Sequence, residues 1–172
     1  MFTSYPLLTI SIVAIVIILL VYIAFYMLFA RRVKVLEQGV LEVFLRKVSK
    51  IPALIEVMRP YISKKEAFAP IIEVHTESMI SSTDSLYDIL SYNARLQNEF
   101  LFLMKLSVQV PELQKHEYFL YIRDFIIEYE RTMRSRFAAT NEAIHDWNHF
   151  ITIKNMTGIG YLLPGSLRPE II

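Results

Sequence analysis

An uninterrupted apolar run extends from Leu7 to Phe29, and the first 30 residues of the chain contain no charged side chain. As an α-helix this run is about 35 Å long, which is enough to cross a hydrocarbon core of roughly 30 Å. It is too long for the apolar region of a signal peptide, and no basic residue precedes it. The sequence therefore predicts a transmembrane helix over residues 7–29, preceded by a short external N-terminus of residues 1–6.

Basic residues follow the apolar run at once, at Arg31, Arg32 and Lys34. Positive charges flanking a membrane segment favour the cytoplasmic side. The sequence thus predicts an external N-terminus and a cytoplasmic domain that begins at residue 31. The same three residues could also attract anionic lipid headgroups.

All 18 basic and 17 acidic residues lie after residue 30, where about a quarter of the residues are charged, as in ordinary soluble domains. The net charge of +1 gives no overall attraction to nucleic acid. The lack of cysteine excludes disulfides, thiolate metal sites and a cysteine nucleophile. Phosphate-binding loops, hydrolase elbows and zinc-protease motifs are also absent from the sequence. We therefore expect no catalytic residues, cofactor, small-molecule substrate or nucleic-acid partner.

Apolar residues recur at spacings of three and four in three stretches, which indicates helices that bury one face. Strand-like alternation does not extend over a useful length. The sequence predicts an all-α fold, in which the transmembrane helix leads into an elongated antiparallel bundle of three to four long helices over residues 31–155. The three apolar stripes are Val33, Leu36, Val40, Phe44, Val48, Ile51, Ile55 and Met58; Leu86, Ile89, Asn93, Leu96, Phe100 and Leu103; and Ile122, Ile126, Tyr129, Met133, Phe137, Thr140, Ile144, Trp147 and Ile151.

Prolines, glycines and capping residues predict where the helices end. Pro52 is expected to kink the first long helix, since proline removes a backbone donor and clashes one turn back. Residues 80–83 are expected to form a turn, with capping oxygens from residues 82–84. The last helix is predicted over residues 113–155. Residues 156–172 are predicted to be an irregular tail that could fold back on the bundle.

Three short motifs occur in order along these helices. The first is Arg46-Lys47, followed by Ile51-Pro52-Ala53-Leu54-Ile55 and Tyr61; the second is Val110-Pro111-Glu112-Leu113; and the third is Asn141-Glu142-Ala143-Ile144-His145-Asp146-Trp147-Asn148. Together with the membrane segment, they resemble the LemA family of bacterial membrane-anchored proteins over residues 36–153. The resemblance implies a four-helix-bundle-like fold, an external N-terminus and a location in the bacterial inner membrane.

The chain resembles a divergent LemA protein, because several motif positions differ from the family pattern. Ala53 replaces an asparagine and Val110 a tyrosine. Thr140 and Trp147 replace the tyrosines that precede the paired asparagines, and Phe137 replaces an arginine. The activity of the family is poorly defined, so the resemblance implies architecture more than chemistry.

Asn141 and Asn148 lie two turns apart and therefore share one helix face, about 10 Å apart along the axis. Each follows a residue of the apolar stripe. A half-buried asparagine can fix the register of packed helices, and Asn93 on the preceding helix is a possible member of such a network. A ligand-binding role for the two asparagines is the alternative.

His145 and His149 are four residues apart, with Glu142 one turn before the first, which is a spacing that can hold a divalent metal. A solvated helix face is the simpler interpretation, because no second copy of the pattern exists in the sequence.

The absence of a catalytic motif favours a non-enzymatic interaction or scaffold protein, bound to an unidentified protein or to its own copies at the membrane. Tyr118, Phe119 and Tyr121 are candidate contacts, or else they fill a wide core. The alternatives are a metal-binding factor or metal-dependent enzyme using His145, His149 and Glu142, and a lipid-binding or membrane-shaping protein.

Overall fold

The computed structural model of the protein describes residues 6–81, 85–156 and 165–169. Over these residues the chain is all-helical, and no strand occurs among them, as the apolar spacing predicts. The five α-helices are α1 (Pro6–Val48), α2 (Ile51–Met58), α3 (Ala69–Ser81), α4 (Leu86–Ser107) and α5 (Glu117–Met156), with 3-10 turns at Lys65–Phe68 and Leu113–Lys115.

Helix α1 has 43 residues and continues well beyond the apolar run. It is long and apolar enough to cross a membrane. From Thr9 to Ile18 every side chain is exposed, whatever its position around the helix. A helix that exposes apolar side chains all round suits a lipid environment.

The first break in the helical chain differs from the predicted kink at Pro52. Helix α1 ends at Val48, residues 49–50 form a turn, and α2 begins at Ile51 with Pro52 in its first turn. Proline is tolerated there because a first-turn amide has no partner within the helix. Pro52 therefore starts a new helix rather than bending a continuous one.

Helix α4 starts at a cap that lies one residue beyond the predicted one. Ser85 is extended, and its hydroxyl accepts a hydrogen bond from the backbone N–H of Asp88 at 3.2 Å. The side chains named for this role, Ser82, Thr83 and Asp84, lie outside the described residues.

Helix α5 begins at Glu117, four residues after the predicted start, because residues 113–115 form a 3-10 turn. Pro111 is exposed in the connection between α4 and α5. The last helix has 40 residues. Of the predicted tail, residues 156–172, Met156 is the last residue of α5, and residues 165–169 are described without regular secondary structure.

The structure divides into two compact units, a terminal unit and a central unit. The terminal unit combines the part of the chain before residue 37 with residues from Thr140 onward, and the central unit consists of residues 37–139. The first unit thus includes the end of α5 together with the apolar part of α1.

The central unit is built around the predicted stripes. Val40 and Phe44 of α1, Leu96 and Phe100 of α4, and Ile126 of α5 are all buried. Phe119 is also buried, so it belongs to the core and not to an exposed contact surface. Burial of large apolar side chains of this kind stabilises a fold by about 1.5–3 kcal/mol each.

Candidate functional site

In the terminal unit, Trp147 and Asn148 hold the returning segment of residues 165–169. The indole Nε1 of Trp147 donates to the backbone carbonyl of Ser166 at 3.0 Å. The side chain of Asn148 binds Arg168 twice: its Nδ2 donates to the carbonyl at 2.7 Å, and its Oδ1 accepts from the backbone N–H at 2.8 Å. The Arg168 guanidinium lies 5.8 Å from the centre of the indole ring.

The role of these side chains differs from the predicted asparagine network. The Asn148 amide binds the backbone of Arg168 in the returning segment rather than a neighbouring helix. Asn141 is half-buried on α5. Asn93 belongs to the central unit, where its side chain binds Lys47 and Glu130. Asn93 is thus buried, as its place on the apolar stripe suggests, and its hydrogen-bond partners include a lysine and a glutamate of the central unit.

Gly165 occupies a position that only glycine suits. Its φ is +149°, and a Cβ atom there would lie 2.9 Å from the Ile151 methyl group and 3.4 Å from the Tyr26 ring. Side chains are strained at such a φ, and a Cβ atom would require the Ile151 methyl group to move.

We expect Gly165→Ala to destabilise the terminal unit by more than about 1 kcal/mol, because both the backbone angle and the contacts oppose a side chain. Gly39→Ala is the matched control: Gly39 lies within α1, and its added Cβ would only touch the flexible Arg136 side chain at 3.4 Å. Alanine there should stabilise by about 0.5–1 kcal/mol through helix propensity. Chemical unfolding in detergent, followed by Trp147 fluorescence and circular dichroism, measures both; equal effects at the two glycines would contradict the prediction.

Aromatic side chains of α1 and α5 also meet in the terminal unit. Phe150 lies 4.8 Å from Tyr22 and 5.4 Å from Phe29 between ring centres, and Trp147 lies 5.3 Å from Tyr26. The Tyr22 hydroxyl is buried without a hydrogen-bond partner among the described residues. The end of α5 therefore runs beside the second half of the apolar segment of α1.

The basic residues after the apolar run have different surroundings. Arg31, Arg32 and Lys34 are exposed. Arg32 donates to Asp146 of α5 at 2.7 Å, and both side chains are well exposed. An exposed pair of this kind contributes at most about 1 kcal/mol. It nevertheless places Asp146 beside the first charged turn of α1.

The proposed metal ligands Glu142, His145 and His149 are all exposed on α5. Nowhere in residues 6–81, 85–156 and 165–169 do three histidine or acidic side chains converge as metal ligands would.

The central unit contains a buried charged cluster that sequence reasoning missed. Lys47 is fully buried, and its Nζ donates to Glu130 at 2.7 Å, to Asn93 at 2.9 Å and to Gln97 at 3.1 Å. Glu130 also accepts from Asn93 at 3.3 Å and from Arg134 at 3.3 Å. Three acceptors match the three N–H bonds of an ammonium group, so the cluster binds a charged lysine.

The pKa values of both Lys47 and Glu130 are shifted from their ordinary values. Burial lowers the pKa of Lys47, although the hydrogen bond and charge of Glu130 oppose that effect. Burial alone would raise the pKa of Glu130, but its bonds to Lys47, Arg134 and Asn93 outweigh burial and lower it. The hydrogen bonds of the pair join α1, α4 and α5.

We expect the central unit to lose stability in acid through Glu130. The folded-state pKa of this group is lower than its ordinary value of 4.5, so its contribution is present above pH 4.5 and is lost as the pH falls through the lowered pKa. Unfolding measured across this range should show a steeper loss for the native chain than for Glu130→Gln. Parallel curves would mean that Glu130 does not carry the acid sensitivity.

A groove of about 570 Å³ lies between α4 and α5 in the central unit. Leu101, Val108 and Ile127 line it with exposed apolar surface, and Arg123 and Arg131 are among its polar residues. Elsewhere on α5, Tyr118 and Tyr121 are exposed and stacked at 6.3 Å between ring centres. Two of the three aromatic residues predicted as contacts are thus at the surface.

The fold and these sites describe an all-helical protein with one helix that could cross a membrane. Comparison of the chain with protein-family models, with curated proteins and with solved structures found no match.

Proposed function

We propose that the chain is a single-pass membrane protein of the LemA type, with an external N-terminus and a cytoplasmic helical bundle. The observation that carries the proposal is α1, whose residues 9–18 are exposed all round and, apart from Thr9 and Ser11, apolar. The exposed charges of Arg31, Arg32 and Lys34 directly after this segment support the orientation. The bacterial inner membrane follows from the motif resemblance.

We further propose a non-enzymatic role in which the groove between α4 and α5 binds an amphipathic helix of a second protein. Val108 is 72% exposed at the groove, and Leu101 and Ile127 beside it are 48% and 44% exposed, so together they form an apolar patch. An apolar groove of this kind suits the apolar face of a helix.

Photo-crosslinking in membranes of the native cell tests this proposal. A photoreactive residue at position 108 should give a discrete crosslinked protein, and the product should disappear when Ile127→Glu places a charge in the groove. Met79, exposed on α3 and not part of the groove, is the matched position for the control. Crosslinks to a second copy of the chain would mean self-association instead. Equal products at positions 108 and 79 would contradict a specific groove.

Topology is tested separately with reporters. A C-terminal reporter that is active only outside the cytoplasm would overturn the orientation, while recovery of the native chain in the soluble fraction would overturn the membrane anchor itself.

A further inference from the structure

The contacts of the terminal unit place the end of α5 at the depth of the membrane segment. Helix α1 begins at Pro6, and a bilayer requires roughly 20 residues of helix. Even the earliest such window in α1, residues 6–25, includes Tyr22. If the membrane-spanning part of α1 ends at the first charge, Arg31, the helical rise places Tyr22 about 13 Å inside the apolar layer of the membrane. Tyr26 then lies about 7 Å inside the same layer.

The partners of these tyrosines must lie at the same depth. Phe150 packs on Tyr22 at 4.8 Å, and Trp147 packs on Tyr26 at 5.3 Å. Asp146, one residue before Trp147, instead reaches Arg32 beyond the apolar run. Helix α5 therefore passes the level of the first charges near Asp146 and continues into the layer that α1 crosses.

The chemistry of the chain beyond Asp146 suits that layer. Between Asp146 and Arg168 the sequence has a single Lys, Arg, Asp or Glu residue, Lys154. That lysine is 1% exposed, and its Nζ donates to the carbonyl of Gly165 at 3.3 Å, so its charge is covered by protein. Otherwise the exposed side chains of residues 151–156 are uncharged: Ile153 and Met156 are 43% and 82% exposed, and Thr152 and Asn155 are exposed beside them.

The edges of this region carry the side chains typical of a membrane interface. Trp147 presents its indole N–H to the Ser166 carbonyl, and the Arg168 guanidinium lies over its ring. Tryptophan and arginine are favoured at the headgroup level, where an apolar body meets a polar tip.

From these contacts we propose that the end of α5, residues 147–156, is embedded in the cytoplasmic leaflet of the membrane beside α1, with phospholipid acyl chains against Ile153 and Met156. This inference rests on the membrane anchor proposed above. It adds a second membrane contact, from a helix that enters the bilayer without crossing it.

Trp147 is the only tryptophan of the chain and reports on its own depth. The full-length protein in proteoliposomes should lose Trp147 fluorescence when the phospholipids carry bromine atoms on their acyl chains, relative to unbrominated lipid. The loss should be greater for bromine near the headgroup end of the chain than near its terminal methyl. Unquenched fluorescence from protein that resists alkaline extraction would overturn the embedded helix while leaving the anchor intact. Protein that alkali removes from the vesicles would overturn both.

Single cysteines give an independent measurement, since the native chain contains none. In open membranes, Met156→Cys should resist a membrane-impermeant maleimide and react fully after denaturation. Glu142→Cys, exposed on the same helix about 21 Å nearer its start, should react in both conditions. Equal labelling of the two cysteines in intact membranes would contradict the proposal.

Discussion

Replacing Glu130 with glutamine should destabilise the central unit by about 3 kcal/mol, because the substitution leaves the ammonium of Lys47 buried without a counter-charge. Lys47 is fully buried, and its shortest hydrogen bond, 2.7 Å, is to Glu130. Glutamine keeps the size of the side chain and one acceptor, so the loss reports mainly on charge. Chemical unfolding of the full chain in detergent, followed by circular dichroism, measures the effect.

Glu128→Gln is the matched control for this experiment. Glu128 lies on the same helix and pairs with Arg131 at 2.9 Å, but both side chains are more than 60% exposed. Its loss should cost no more than about 1 kcal/mol. The double replacement Lys47→Met with Glu130→Leu should recover most of the stability, since it removes both buried charges together. A double variant as unstable as Glu130→Gln would mean that packing, not charge, explains the loss.

Placing arginine at both Ile15 and Ile18 should abolish membrane integration. Both residues lie in the stretch of α1 where every side chain is exposed. Arginine at the centre of a membrane helix costs about 2.5–3.5 kcal/mol, so two such residues remove roughly 5–7 kcal/mol of insertion free energy. Alkaline extraction of cell membranes, followed by detection of the chain in pellet and supernatant, provides the measurement.

The control for the Ile15 and Ile18 double variant is a second double variant, Val35→Arg with Leu45→Arg. These residues are also exposed and apolar on α1, but they follow the first charges of the chain. The control should remain in the membrane pellet. If both double variants stayed there, the apolar run would not be what anchors the protein.

Apolar periodicity predicted the all-helical fold and much of the core, because a helix with one apolar face must bury it. Ile122, Ile126 and Met133 recur at this spacing on α5, and all three are buried. The exact helix ends were less predictable. Ser85 rather than one of the three preceding residues caps α4, because several neighbouring side chains offer the same hydroxyl or carboxyl chemistry.

The buried ion pair was missed because charged residues are usually exposed. A signal was present: Lys47 lies three residues after Phe44 and four before Ile51, directly on the apolar stripe. Glu130 similarly lies four residues after Ile126 and three before Met133. Two opposite charges on facing stripes predict a buried pair, but sequence alone does not show which stripes face each other.

The returning segment could not be predicted because its contacts depend on backbone positions. Asn148 binds the N–H and carbonyl of Arg168, and any residue supplies those groups. Gly165 is the residue of this segment whose identity matters, because its φ of +149° favours glycine.

The ion pair of Lys47 also sets an order for folding during synthesis. Its acceptors follow it along the chain, with Asn93 after 46 residues, Gln97 after 50 and Glu130 after 83. Chains emerge from the ribosome N-terminus first, so the counter-charge of Lys47 is the last of its partners to be made. Until α5 has emerged, water is the better environment for this ammonium group. The central unit therefore closes late, after all of α1 has left the ribosome.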